Sequence, residues 1–131
     1  MVVQDDNIKK GGKNRTSNYP KITSPIYLKK ILRENNLRPH RNMGQHFLID
    51  ENILDKIIAA ASPEKDDLVL DIGAGPGAIS LAIARKVAGV IAIEWDAGFA
   101  ALLTGLALEG GVSNLRVVEG DVRRLELEEV C

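Results

Sequence analysis

The run from Asp71 to Gly77 (DIGAGPG) sets three glycines between an apolar stretch and a helical one. Residues without a side chain tolerate positive φ and let a ligand approach the backbone closely. A helix starting just after such a loop aims its unpaired N–H groups and positive dipole end at the same place. The chemistry favoured there is the binding of a carboxylate or a phosphate. Glu94 lies 21 positions beyond Gly73. An ionised carboxylate only accepts hydrogen bonds, so it matches the two donor hydroxyls of a ribose. Asp121 follows a later apolar stretch and could accept from an exocyclic amine such as adenine N6. Asp71 could serve the loop's own hydrogen bonds or a ligand ammonium group, and its position leaves both open.

These groups need a frame that brings them to one edge. Leu68–Ile72, Gly89–Glu94 and Leu115–Glu119 read as strands. Ala78–Val87, and a stretch capped by Asp96 and running to Glu109, read as the helices between them. Such alternation predicts an α/β fold with a parallel sheet and right-handed crossovers. Ligands of open α/β sheets sit outside the carboxyl ends of the strands, where the glycine loop, Glu94 and Asp121 all fall. Two helices precede this unit. Ser24 caps the first, Pro25 suits its first position, and Tyr27, Leu28, Ile31 and Leu32 form its apolar stripe. Asn35-Asn36 and Pro39 end it. Asp50 caps the second, whose stripe is Ile53, Leu54, Ile57, Ile58 and Ala61, and Ser62-Pro63 stops it. Leu125–Val130 begins a further helix. The chain thus divides into a disordered basic tail (1–22), a helix with a connector (23–49) and a partial ligand-binding domain (50–131).

The composition is that of a soluble globular protein, with 45% hydrophobic and 27% charged residues. No apolar run approaches the roughly 18 residues of a membrane span, and no signal-peptide core opens the chain, so a cytoplasmic protein is expected. Cys131 is the single cysteine, which excludes a disulfide framework within one chain, and no metal site is expected. The net charge of -1 hides an asymmetry. Residues 1–45 hold ten Lys/Arg against three Asp/Glu, a charge of +7, and residues 46–131 carry −8. A basic arm on an acidic domain points to a polyanion partner, the alternative being a solvated tail.

Two nucleotide ligands compete for the loop. Gly73, Gly75 and Ala78 fit G-x-G-x-x-A, the dinucleotide pattern, which accounts for the loop and Glu94 but leaves Asp121 unused. An S-adenosyl ligand uses Asp71, Gly77 and Asp121 together. It carries an amino-acid carboxylate and no pyrophosphate.

Asp71–Gly77 resembles the first motif of class I methyltransferases. Met43-Gly44-Gln45-His46-Phe47-Leu48-Ile49-Asp50 resembles the G-Q-[NH]-F-L signature of the ribosomal RNA adenine dimethyltransferase family. The resemblance runs from about Ser24 to Val130. It implies a Rossmann-like class I methyltransferase fold, truncated after about the third strand of the parallel sheet, with S-adenosylmethionine as cofactor. His46 and Leu48 would line the cofactor pocket from above, Gly73 would lie in the cofactor loop, Glu94 would hold the ribose, and Asp121 would sit beside the adenine. The implied partner is small-subunit ribosomal RNA or a pre-ribosomal subunit, with no membrane association and a monomer at full length. Relatives acting on large-subunit rRNA belong to the same family. Trp95 could stack on the adenine, although packing at the sheet edge is the preferred reading.

The family grips its target adenine with an Asn-[Leu/Ile]-Pro-[Tyr/Phe] motif. That motif does not occur in these 131 residues, because Asn114-Leu115-Arg116 lacks the proline and the aromatic. No catalytic residue is therefore assigned. The expectation is a cofactor-binding fragment that does not methylate by itself and that is marginally stable, with one strand unpaired and apolar surface uncovered. The alternatives are a non-catalytic RNA-binding remnant and an NAD-binding Rossmann domain.

Overall fold

The computed structural model describes residues 24–38 and 50–131. The basic tail expected over 1–22 and most of the connector lie outside them. The elements follow in the order α1 (Pro25–Glu34), α2 (Glu51–Ala61), β1 (Leu68–Ile72), α3 (Ala78–Ile83), β2 (Gly89–Glu94), α4 (Ala97–Glu109), β3 (Leu115–Glu119) and α5 (Leu127–Val130). Among the described residues the strands form one parallel sheet in the order β1-β2-β3. Leu70 stands beside Ile91 and Ile72 beside Ile93, while Ala92 pairs with Val117 and Glu94 with Glu119.

Alternation along β2 assigns its side chains to two layers. Ala92 faces a core built from Leu81 of α3, Phe99, Leu102, Leu103 and Leu106 of α4, and Leu28, Ile31 and Leu32 of α1. Phe99 and Leu103 are wholly buried, each stabilising the fold by about 1.5–3 kcal/mol on transfer from water. Thus α1 packs into the same core as the α/β unit. Ile91 and Ile93 face the other way, against Val118, Val122, Leu125 and Val130. That second layer reaches β2 and β3 but leaves β1 bare. Leu68, Leu70 and Ile72 are 48%, 37% and 56% exposed. Every strand is paired, β1 on one side only, and the expected uncovered apolar surface is present on β1 among the described residues.

The capping residues do as their types require. Ser24 accepts from the Tyr27 amide at 3.5 Å, Asp50 from Asn52 at 2.8 Å, and Asp96 from Phe99 at 3.1 Å. Two expectations need correction. The stripe on α2 is only half used: Leu54 and Ile58 are buried, while Ile53, Ile57 and Ala61 are exposed. Helical spacing tells which residues share a face but not whether a partner covers all of it. The helix expected over Ala78–Val87 stops at Ile83. The chain then tightens into a turn, with Lys86 N–H donating to Ile83 O at 2.9 Å. The Asn114 side-chain amide donates to Ala84 O at 2.7 Å and Val87 O at 3.1 Å, satisfying carbonyls that a longer helix would have pointed at its own next turn. No described helix is long and apolar enough to cross a membrane.

Candidate functional site

The carboxyl end of β2 fastens the two loops beside it. Gly73 and Ala74 N–H both donate to Ile93 O, at 2.8 and 3.2 Å, which lays the loop after β1 across the strand end. Gly75 N–H donates to Glu94 Oε2 at 2.7 Å, a buried bond. The Asp96 amide donates to Glu94 Oε1 at 3.1 Å. On the other side Gly120 N–H donates to Glu94 O at 2.9 Å, which brings Asp121 to the same edge. The structure thus brings together Gly73, Glu94 and Asp121. His46 and Leu48 lie outside the described residues.

The loop's shape depends on its glycines. Gly73, Gly75 and Gly77 have φ of 72°, 56° and 91°, a left-handed conformation that residues with a Cβ rarely adopt. A Cβ on Gly77 would also lie 2.1 Å from Leu103 Cδ1, so that glycine is needed for packing against α4. Gly73 differs, because a Cβ there would meet nothing within 4 Å among the described residues. The described residues thus leave the space above Gly73 to a ligand. The short α3 helix has only six residues, so its dipole contributes less here than the sequence suggested.

Glu94 is 1% exposed and serves the loop as an acceptor. An ionised carboxylate offers about four acceptor positions, so backbone donors and a diol can share one group. Asp121 is gripped by its neighbour Arg123, whose Nη2 lies 2.6 Å from Oδ2 and whose Nε lies 2.9 Å from Oδ1. Hydrogen bonds from the Arg123 side chain and backbone, with its positive charge, hold the Asp121 carboxyl down at about 2. Trp95, directly after Glu94, is partly exposed at the same edge. Among the described residues no group of His, Cys, Asp or Glu is placed to hold a metal.

Sequence reasoning missed Ser80, which is wholly buried and donates from Oγ to Asp71 Oδ2 at 2.6 Å. The available signal was a hydroxyl on the apolar face of α3. The bond places Asp71 in the service of the fold beneath the loop. Burial raises the Asp71 carboxyl above its ordinary value, and the bonds from Ser80 oppose the rise without cancelling it. Such a carboxyl binds its proton more tightly in the native state. Its contribution favours folding below the ordinary value of 3.8 and is lost as pH rises through the raised one. Asp71→Asn keeps an oxygen for Ser80 and removes the ionisation. We expect the variant to gain stability over the parent from pH 4 toward pH 7, read by urea denaturation. A parent advantage that grows toward neutral pH would contradict this.

Comparison with known proteins places this arrangement. A family model described as ribosomal RNA adenine dimethylase matches residues 21–131. The ribosomal RNA small subunit methyltransferase A of Pelotomaculum thermopropionicum is 38% identical over 112 residues, 84% of this chain and 37% of that protein. The chain thus spans little more than a third of that relative's length. The crystal structure of a dimethyladenosine transferase from Plasmodium falciparum is 36% identical with a TM-score of 0.59, over 62% of this chain and 30% of that one. An RNA methyltransferase from Salinibacter ruber, solved in complex with S-adenosyl-L-homocysteine, is 25% identical with a TM-score of 0.56, over 62% of this chain and 54% of the other. The α/β architecture is that of the Rossmann-like methyltransferases, and the chain belongs to the ribosomal RNA adenine dimethylase family.

Proposed function

We propose that this chain is the cofactor-holding part of an S-adenosylmethionine-dependent rRNA adenine N6-dimethyltransferase acting on small-subunit rRNA in the cytoplasm. The observation that carries the reading is the buried Glu94 carboxylate, joined to the Gly75 amide beside the open space at Gly73. These residues fit the cofactor. Glu94 would accept from the ribose hydroxyls, the backbone of Gly73–Gly77 would lie against the ligand, and Asp121 would accept from the adenine amine. His46 and Leu48 would close the pocket. When bound, the cofactor supplies a methyl group on a sulfonium. Transfer from such a centre needs placement of the acceptor more than acid–base help. This chain's part is therefore to hold the donor and fix its orientation. The target adenine would leave its stack to reach it.

The basic stretch before the domain would add salt-dependent affinity for RNA phosphates. The domain division at residues 22 and 49 is part of the same proposal, as is a monomeric full-length enzyme. Residues 1–131 contain no Asn-[Leu/Ile]-Pro-[Tyr/Phe] sequence, so they would bind cofactor without forming dimethyladenosine. Calorimetry on the 131-residue chain should show S-adenosylmethionine binding and no NAD binding, and an assay with small-subunit rRNA should show no methyl incorporation. NAD binding without S-adenosylmethionine binding overturns the cofactor reading. Dimethyladenosine formed by residues 1–131 overturns the division of labour.

A further inference from the structure

We infer that Arg123 is an internal competitor for the adenine end of the site, a specificity-setting residue that a bound purine must displace from Asp121. The inference rests on the proposed role of Asp121 as acceptor for the adenine amine. Asp121 Oδ1 accepts from the Arg123 backbone amide at 3.0 Å and from Nε at 2.9 Å, which fills its two lone pairs. Oδ2 accepts from Nη2 at 2.6 Å and shares Nε at 3.2 Å. A two-toothed guanidinium contact thus covers the acceptor edge that an amine would use. Its geometry is local, from residue i to i+2, so it forms without a ligand and without any other element. The Arg123 side chain is 84% exposed, against 28% for Asp121. Among the described residues nothing but the pair itself holds the guanidinium in place, and it can swing into solvent when another donor arrives.

The pairing has a chemical sign. An exocyclic amine is a donor and competes with Arg123 for the same oxygens. A carbonyl at the same purine position is an acceptor, which the Asp121 carboxylate repels and the Arg123 guanidinium attracts. Removing Arg123 should therefore help a 6-amino purine and harm a 6-oxo purine. A merely structural role would shift both ligands together.

The test uses the 131-residue chain with S-adenosyl-L-homocysteine and its deaminated analogue S-inosyl-L-homocysteine. Exposed ion pairs are weak, so Arg123→Ala should bind the amino ligand about two- to five-fold more tightly. It should bind the oxo ligand no better or more weakly. In an Asp121→Asn background the same substitution should leave the amino ligand's affinity unchanged. Equal shifts for both ligands, or a gain that survives Asp121→Asn, overturn the inference. A ligand-free measurement keeps it separate from the cofactor reading. By NMR the Asp121 carboxyl should titrate at about 2 in the parent and markedly higher in Arg123→Ala. A parent Asp121 titrating in the ordinary carboxylate range overturns the competitor, whether or not S-adenosyl-L-homocysteine binds. Failure of that ligand to bind, with the low titration intact, counts against the cofactor assignment on which the inference stands and overturns both.

Discussion

Glu94→Ala is expected to lose nucleoside binding by about 100-fold or more and to destabilise the fold by about 2–4 kcal/mol. The two losses come from one group. Two hydroxyl bonds to a charged acceptor contribute about 1.5–3 kcal/mol each, which accounts for the affinity. The stability loss comes from the donors left behind, the amides of Gly75 and Asp96 at 2.7 and 3.1 Å from the carboxylate. Each buried donor without a partner costs about 1–3 kcal/mol, less where water can enter. Glu94→Gln separates the effects. Its carbonyl can accept from one amide, but its NH2 must face the other donor, so about half of the stability should return while ribose binding stays weak. Urea denaturation and calorimetry with S-adenosyl-L-homocysteine read the two quantities. An alanine variant that binds this ligand like the parent would remove Glu94 from the site.

The second large effect is expected at Gly77. Gly77→Ala should cost about 2–5 kcal/mol, combining about 1–2 for a left-handed backbone with about 1–3 for overpacking. The overpacking has a named partner, because the new Cβ would lie 2.1 Å from Leu103 Cδ1. Leu103→Ala alone creates a cavity and should cost about 2–5 kcal/mol. The double variant should be less destabilised than the sum of the singles, because the cavity accepts the added methyl. Strict additivity would show that Leu103 is not the obstacle. Gly73→Ala is the control. Its Cβ meets no atom of the described residues, so only backbone strain of about 1–2 kcal/mol is expected, yet the methyl fills the space proposed for the cofactor. Stability should fall little there and binding should fall much.

What the sequence disclosed followed from local physics. The three strands, the helix caps and the glycine loop are each set by a few adjacent residues, and their positions agree with the structure. The carboxyl-end placement of Gly73, Glu94 and Asp121 followed from strand–helix alternation alone. What stayed hidden depends on contacts between distant residues. Asn114 ends α3 by reaching carbonyls 27 and 30 positions away, and no periodicity announces that. Ile53 and Ile57 remain exposed because helical spacing defines a face without naming its cover. Ser80 was passed over because one hydroxyl on an apolar face is usually incidental, and its bond to Asp71 needs both elements in place. Arg123 was within two residues of an acid already singled out. Its grip on Asp121 depends on the folded turn between them, which composition and periodicity do not disclose.

The strand order β1-β2-β3 repeats the order of the chain. A ribosome releasing this protein presents each strand after the neighbour it must join, so the sheet can lengthen one strand at a time during synthesis. Each pairing is parallel and must wait for the helical crossover between its strands, Leu68 meeting Gly89 and Val90 meeting Leu115, which makes sheet closure the slow step. Glu94 comes with the second strand, the one that fastens both loops, so the edge is complete only once the loop after β3 has emerged and Gly120 has met Glu94. In the sheet described here, the first strand made, β1, keeps one side unpaired, and its row of Leu68, Leu70 and Ile72 stays wet while its sisters are covered. For a molecular chaperone, that row is the stretch of this sheet most open to capture.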